Sequence, residues 1–315
     1  MNHYFDHKNT QFLDPEIKQH GNHVILTNVQ KPPQKKLLNI DTKFQEEYNS
    51  LSHASFTFQL PEAIHDVKSI SVSHMEVPYS FYSFSEQKGN TTFIVSDDTN
   101  ADEYVFQIPA GHYTESTLIS TIQGLITAGA LNGLIQISME NHKTKLEIVN
   151  GNGNTYTFHW NVGDHSCSSS ETDIDYTKTR LKSRLGWCLG FREPSYTMTS
   201  VASIVSEGII YVHTTPYVML VVDEFSQNHP NSFVSPMSDS YVNKNVLARM
   251  QVFERSLGFG ETIVGDRYSN LVSDVRVFRS KTSLQKLKIE LVDEWGIPLD
   301  LNHLDFSFVL EVDYV

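Results

Sequence analysis

Fourteen histidines and several adjacent carboxylate pairs are the residues of this chain that could do chemistry. A metal site needs convergent imidazoles, thiols or carboxylates, at i, i+2 on a strand or i, i+4 on a helix. His3 and His7 have the helical spacing, but their surroundings are polar and carry no helix signal. His20 and His23 lie close together in the same stretch, and His159 and His165 flank a Gly turn near Cys167. The plainer reading of each is an exposed or hydrogen-bonded imidazole, whose titration near neutral pH is a means of tuning assembly. Asp173-x-Asp175 lacks the remainder of a Ca²⁺ loop. No metal and no cofactor are expected.

The carboxylate pairs Asp97–Asp98, Asp102–Glu103, Asp223–Glu224 and Asp293–Glu294 are sequence neighbours. On a strand, neighbours point to opposite faces, so they do not oppose each other across a cleft as glycoside hydrolysis requires. Solvated turns and sheet edges account for them better. There is no G-x-S-x-G, H-E-x-x-H, Walker loop or G-x-G-x-x-G. Asn90-Thr91-Thr92 has the form of a glycosylation acceptor without a secretory signal beside it. The expectation is a protein that is not an enzyme.

The elements that would position these residues are mostly strands. The chain has 315 residues, 39% hydrophobic and 11% aromatic, with Phe and Tyr far ahead of Trp; such composition packs well on pleated surfaces. A net charge of −13 argues against nucleic-acid binding. The basic clusters at Lys31–Lys36 and Lys178–Arg184 read as solvated surface or partner contacts. Cys167 and Cys188 read as free thiols of a reducing compartment. The amino-terminal residues lack the apolar core of a signal peptide, and no apolar run is long enough for a membrane span.

Residues 1–40 are polar, His-rich and punctuated by proline, with only "HVILTNV" strand-like. They read as an extended N-terminal arm. "FTFQL" (Phe56–Leu60), "VKSISVSHMEV" (Val67–Val77), the strand after the Gly89–Asn90 turn and "EYVFQI" (Glu103–Ile108) then alternate at period 2. One helix is expected, with Thr114 as N-cap, Glu115 in its first turn, Leu118, Ile119, Ile122, Leu125 and Ile126 on one face, and Gly129 as its stop. "LIQISM", "KLEIV" and "TYTFHW" read as a three-stranded meander. "YTKTRLKSRLG" reads as a short helix ending at Gly186, and "LGWCLGF" as a buried plug. "TMTSVAS", "GIIYVH", "PYVMLVVDEF", "VLARMQVF" and "DVRVFR" complete an all-β sandwich or barrel. A final hairpin turns at "DEWG", with Gly296 free to take positive φ and Phe306, Phe308, Leu310, Val312 and Tyr314 pointing inward.

The stretch from Leu38 to Val95 resembles a segment of capsid structural proteins of large eukaryotic double-stranded DNA viruses. Asp41, Phe44, Leu60, Pro61, Val67, Pro78, Tyr82 and Asn90 occupy the places of that family's Asp-x-x-Phe, Leu-Pro…Val-x-Ser, Pro-x-x-x-Tyr and Gly-Asn elements. "FQIPAGHYTESTLISTIQGLI" is similar to its Gly-x-Tyr-Thr helix start. "LGF" (Leu189–Phe191) and "LVDEWGIPLDLN" are similar too, in the same order along the chain. The resemblance covers roughly residues 37–315, leaving the arm and a middle loop unmatched. Lys43 and Gln45 stand where the family is richer in Arg.

The resemblance implies a minor capsid or penton (vertex) protein. It implies a jelly-roll-type antiparallel β-sandwich over residues 41–315, with one amphipathic helix and a β meander inserted over roughly 110–186. The alternative is two sandwiches split near residue 190. In a jelly roll the first and last strands are neighbours, so "FTFQL" is expected to pair with "FSFVLEV". The expected partners are the major capsid protein and neighbouring minor proteins, with a homo-pentamer in the penton case. The expected place is the virion, assembled in the host cytoplasm.

Candidate partner contacts are Tyr4, Phe5, Phe12, Val24, Ile25 and Leu26 of the arm, and Tyr79, Phe81, Tyr82 and Phe84 of the loop Pro78–Phe84. The loop's other reading is a core-facing corner. An arm of ~40 residues at ~3.3 Å each reaches over ~100 Å, which favours tethering over capping a vertex. A carbohydrate-binding sandwich is a competing reading, with Trp160, Trp187 and Trp295 as its rings and Trp187 expected to be buried. A cupin-type enzyme would need a His-x-His…Glu…His set that the chain lacks.

Overall fold

The structure is a computed structural model. It describes residues 16–20, 23–27, 32–45, 53–150, 152–162, 178–200, 202–212, 215–226, 236, 245–252, 258–273 and 275–315. The chain is mainly β, with antiparallel strands, and divides into two compact units. The first comprises Met1–Ser80, Tyr217–Pro236 and Tyr241–Val315; the second comprises Phe81–Pro216 with Met237–Ser240. The second unit's long stretch, Phe81–Pro216, contains the 110–186 expected as an insertion.

In chain order, the first unit starts with β1 (Glu16–His20), β2 (His23–Thr27), β3 (Gln34–Asp41) and β4 (Ser55–Pro78). The second unit supplies β5 (Thr92–Asp97), β6 (Asp102–Gln107), α1 (Glu115–Ala128), β7 (Ile135–Glu140), β8 (Lys143–Ile148) and β9 (Thr155–His159). It continues with α2 (Lys178–Ser183), α3 (Leu185–Cys188), β10 (Ser195–Thr199) and β11 (Ser203–Val205). The first unit resumes with β12 (Tyr217–Asp223), β13 (Val246–Gln251), β14 (Thr262–Asp266), β15 (Leu271–Ser273), β16 (Arg276–Val292) and β17 (Ser307–Tyr314).

The first unit is built on one eight-stranded sheet, ordered β15-β13-β12-β16-β4-β17-β3, with β14 also on β4. Its axis is the 24-residue strand β4. That strand is interrupted by irregularities. The ladder with β16 shifts register between Leu284 and Lys286, opposite the stretch of β4 that holds Pro61. Proline donates no ladder hydrogen bond and is tolerated at a bulge. Asp66, at φ 52°, marks a second irregularity, and its carbonyl accepts from the Val315 amide at 3.2 Å.

The two halves of β4 differ in their partners: both meet β16, and only the later one meets β17. "FTFQL" lies beside β16, with Phe56 opposite Ile289 and Phe58 opposite Leu287. β17 instead pairs with the later half of β4, from Glu76 opposite Ser307 to Val67 opposite Tyr314. The expected pairing of the last strand thus falls on the right strand and the wrong half of it. Both halves alternate equally well, so period alone could not choose. The final hairpin is also corrected: β4 lies between β16 and β17. The "DEWG" turn does fold back, with Gly296 at φ 75°, but only as far as Leu299 N donating to Leu291 O. Phe306, Phe308, Leu310 and Val312 are buried, and Tyr314 is half-buried.

The second unit holds a four-stranded sheet, β10-β9-β5-β6, and a three-stranded one, β11-β8-β7. β7 and β8 form a hairpin, but β9 leaves for the other sheet, so the expected meander does not form. "GIIYVH" is not a strand: Ile210 N donates to His142 O and Tyr211 N to Cys188 O, across irregular backbone. Helix α1 starts as its sequence dictates. Thr114 Oγ1 accepts from Thr117 N, and Thr117 Oγ1 accepts from Thr114 N, a capping box with Thr in the usual Glu place. Its buried face is Leu118, Ile119, Ile122 and Ile126. Gly129 ends it in extended, not left-handed, backbone.

The core of this unit is aromatic. Phe93 stacks on Phe106 and Trp160 on Phe191, each at 4.9 Å. "LGWCLGF" is the plug that admits Trp160: a Cβ on Gly186 would lie 2.3 Å from the Trp160 Cβ. Leu185, Leu189 and Phe191 are buried, whereas Trp187 and Cys188 are only half-buried, contrary to expectation.

Candidate interaction surface

Among the described residues, His159, Asp97 and Asp293 are engaged in structural hydrogen bonds. His3, His7, His165, Cys167, Asp173 and Asp175 lie outside the described residues. His20 and His23 face each other across the β1–β2 pair. His159 hydrogen-bonds Ser96 Oγ at 3.0 Å, and burial pushes its pKa down against the pull of Asp98 and Glu103. Asp97 is buried and accepts from Thr99 N, Asn100 N, Asn100 Nδ2 and Asn154 Nδ2. Burial raises its pKa, but those bonds outweigh it and hold the carboxyl below its usual range. Asp293 closes the "DEWG" turn by accepting from Trp295 N and Ile297 N. Asn90 is buried, bonded to Ser85 N and Ser83 O, and so holds a turn instead of offering its amide to solvent. Among the described residues no cluster of three or more His, Cys, Asp or Glu could hold a metal ion. No helix among them is long and apolar enough to cross a membrane.

The three tryptophans divide differently from the expectation. Trp160 is the buried one. Trp187 is half-buried with the Arg192 guanidinium 4.0 Å above its ring, and Trp295 is half-buried in its turn.

Of the candidate contact residues, Tyr4, Phe5 and Phe12 lie outside the described residues. Val24, Ile25 and Leu26 form the middle of β2, opposite Gln19, Lys18 and Ile17 of β1. The loop Pro78–Phe84 is an interior corner. Tyr79, Phe81 and Phe84 are buried. Tyr79 exchanges backbone bonds with Glu261 and Gly260 and meets the Phe259 ring edge-on. Phe84 pairs with Gly111 through both backbone bonds and packs against Tyr113. Only Tyr82 keeps a half-exposed ring, beside His112. In this loop the aromatic density serves packing.

The surface that sequence reasoning missed is β3. It is the outer strand of the first unit's sheet, bonded to β17 alone among the described strands. Leu38 and Ile40 turn toward Leu310 and Phe308, while Leu37 on the other face is 61% exposed and Phe44 just beyond is 76% exposed. Two devices pin this strand. At its end, Thr42 N donates to Phe306 O, and Phe306 N donates to Thr42 Oγ1. At its start, the Lys35 ammonium lies 2.8 Å from Glu311 of β17. Arg267 reaches the same carboxylate at 3.0 Å and also bonds Ser71 Oγ and Val72 O of β4. The hydrogen bond from Lys35, helped by the charge of Arg267, holds the Glu311 carboxyl below its usual range against the opposing effect of burial.

No protein-family model and no curated protein matches the chain. Among solved structures, it is similar to the mavirus penton protein at 10% identity and TM-score 0.40, over 90% of this chain and 100% of that one. It is also similar to a chain of the Sputnik virophage structure, at 11% identity and TM-score 0.41, over 90% of this chain and 98% of that one.

Proposed function

We propose that the chain is a structural component of a virus capsid: a minor capsid protein that binds and tethers other capsid proteins in an icosahedral shell. The observation that supports this reading is β3. A polar amino-terminal segment leads into a strand pinned at both ends to its own sheet, with its outer edge and Leu37 open to a neighbour. In this reading β3 is the root of a tether, held to its own sheet by these contacts. The sequence features shared with capsid proteins of large double-stranded DNA viruses supply the kind of neighbour, the major capsid protein and adjacent minor proteins. In this reading the protein resides in the virion, assembled in the host cytoplasm, and performs no catalysis.

Locating the chain in the assembled particle by electron cryo-microscopy, with sizing of the purified protein, tests the reading. Density running between or beneath the major capsomers, from a protein that is no pentamer in solution, is the expected result. A stable pentamer on the five-fold axis replaces the tether with a penton. Absence from the particle overturns both.

A further inference from the structure

β3 is the outer strand of the first unit's sheet, and at eight residues it is longer than any other strand at a described sheet edge. Just past its end, Thr42 N donates to Phe306 O. By alternation Ile40, Leu38 and Lys36 also bond toward β17, opposite Phe308, Leu310 and Val312. Lys35, Leu37, Asn39 and Asp41 therefore direct their backbone N–H and C=O outward, and no described strand pairs with them on that side. Their side chains share the sheet face that carries Glu311 and Asp313.

The other outer edges of the sheets with three or more strands suit a second copy less well. β10, β11 and β15 carry no charge. β6, β7 and β14 carry acidic residues and no basic one, so none of them complements a copy of itself in charge. β14 also offers little free backbone. Tyr79 N donates to Glu261 O, which turns Thr262, Val264 and Asp266 outward, and Asp266 N and O are both taken by Ser269. Among these described edges β3 alone carries both signs, with Lys35 and Lys36 at its start and Asp41 at its end. Reversed against itself, such a strand meets opposite charge at both ends.

We propose that β3 pairs antiparallel with β3 of a second copy, across a two-fold axis at Leu38, joining two sheets into one. This register sets Lys35 opposite Asp41 and Leu37 opposite Asn39 of the other copy, and all four outward residues gain backbone partners. The same surface serves on both copies, as a closed two-fold contact requires. An ammonium has donors, and a carboxylate lone pairs, for more than one partner. Lys35 can therefore keep Glu311 at 2.8 Å, and Asp41 its bond from Lys43 N at 3.0 Å, while they meet across the axis. Leu37, 61% exposed, and the half-buried Leu38 and Ile40 are covered by the added strand. The inference deepens the tether reading and rests on it: the neighbour at the root is a second copy. The two strand starts lie ~27 Å apart at ~3.4 Å per residue, so one dimer roots two tethers at opposite ends of a shared ladder.

The test is sedimentation of the full chain over a range of concentrations at low and high salt. The expected result is a monomer–dimer equilibrium that high salt weakens. K35E and D41K should each weaken it about 10-fold, since each sets like charges opposite one another at both ends of the ladder. Mixing K35E with D41K should restore association, because the mixed pair again joins opposite charges at both ends. L37P removes an outward N–H without touching the β17 ladder and should abolish association while the folded spectrum persists. A native chain that stays monomeric throughout overturns the proposal, and a stable pentamer overturns it together with the tether reading. Association unmoved by D41K, or by L37P in its folded form, assigns the contact to another edge and overturns it too. A mixture of K35E and D41K no more associated than either alone overturns the antiparallel register. Presence of the chain in the particle is measured separately, so the capsid reading can stand when this proposal falls.

Discussion

The sheet of the first unit joins residues that lie far apart along the chain. β17 pairs with β3 and β4 across more than two hundred residues, and β4 pairs with β16 across a similar span. The second unit is nearly one continuous stretch, Phe81–Pro216, closed by a stack of aromatic rings around Trp160. Non-local pairing delays folding because loop-closure entropy precedes any reward. The comparison therefore assigns the slow, late-closing core to the first unit and the locally assembled core to the second.

Removing Ser307–Val315 is the largest test of that contrast. β17 supplies Phe308, Leu310 and Val312 to the core and carries β3 on its outer side. Loss of cooperative unfolding in the first unit is expected, while hydrogen-exchange protection of α1 and β5–β9 survives. Loss of protection in both units together would break the distinction.

Next in size is the buried pair of the first unit. Arg276 donates to Glu224 Oε2 at 2.8 Å and to the carbonyls of Val222 and Asn245, with both side chains almost wholly enclosed. Burial pushes the guanidinium pKa down, and Glu224 pulls it back. Glu224→Ala leaves that charge enclosed and should cost about 3–5 kcal/mol by denaturant unfolding. E224M/R276M should recover most of it, because replacing a buried pair by apolar side chains is often near neutral. The matching test in the second unit is Gly186→Ala. Its added Cβ meets the Trp160 ring root at 2.3 and 2.7 Å, an overpacking that should cost about 1–3 kcal/mol. The loss should appear in the second unit's exchange protection and not in the first's.

In both units legibility depended on the range of the signal. Local signals read well: the Thr114 cap, the Gly89 and Gly296 turns, and the inward face of the last strand follow from short windows. Pairing did not. "FTFQL" and "VKSISVSHMEV" carry the same period, yet only the second pairs with β17, while both meet β16, at Phe56–Gln59 and again at Val67–Ile70. β9 alternates as a meander strand would, yet its partners β5 and β10 come from either side in sequence. Exposure does not follow from residue type. Tyr79, Phe81 and Phe84 are interior, while the Lys35–Glu311–Arg267 cluster needs a register that no single window contains.

That cluster gives the smallest and most selective test. Glu311 is held below its ordinary value of 4.5, so its folded pKa is the lower one. Its contribution is complete above the unfolded value and is lost as pH falls through the folded value. Lys35 is shifted up, so its share is present below its ordinary 10.5 and is lost as pH rises past the higher folded value. Glu311→Gln should cost about 1 kcal/mol at neutral pH, in the range of a partly screened ion pair with charge-assisted bonds. It should also flatten the first unit's acid limb below the ordinary 4.5, measured as melting temperature against pH. The second unit keeps an acid limb of its own, because Asp97 is also shifted down. A first-unit acid limb as steep in E311Q as in the native chain would remove the cluster from the pinning of β3 and leave Thr42 and Phe306 to hold it.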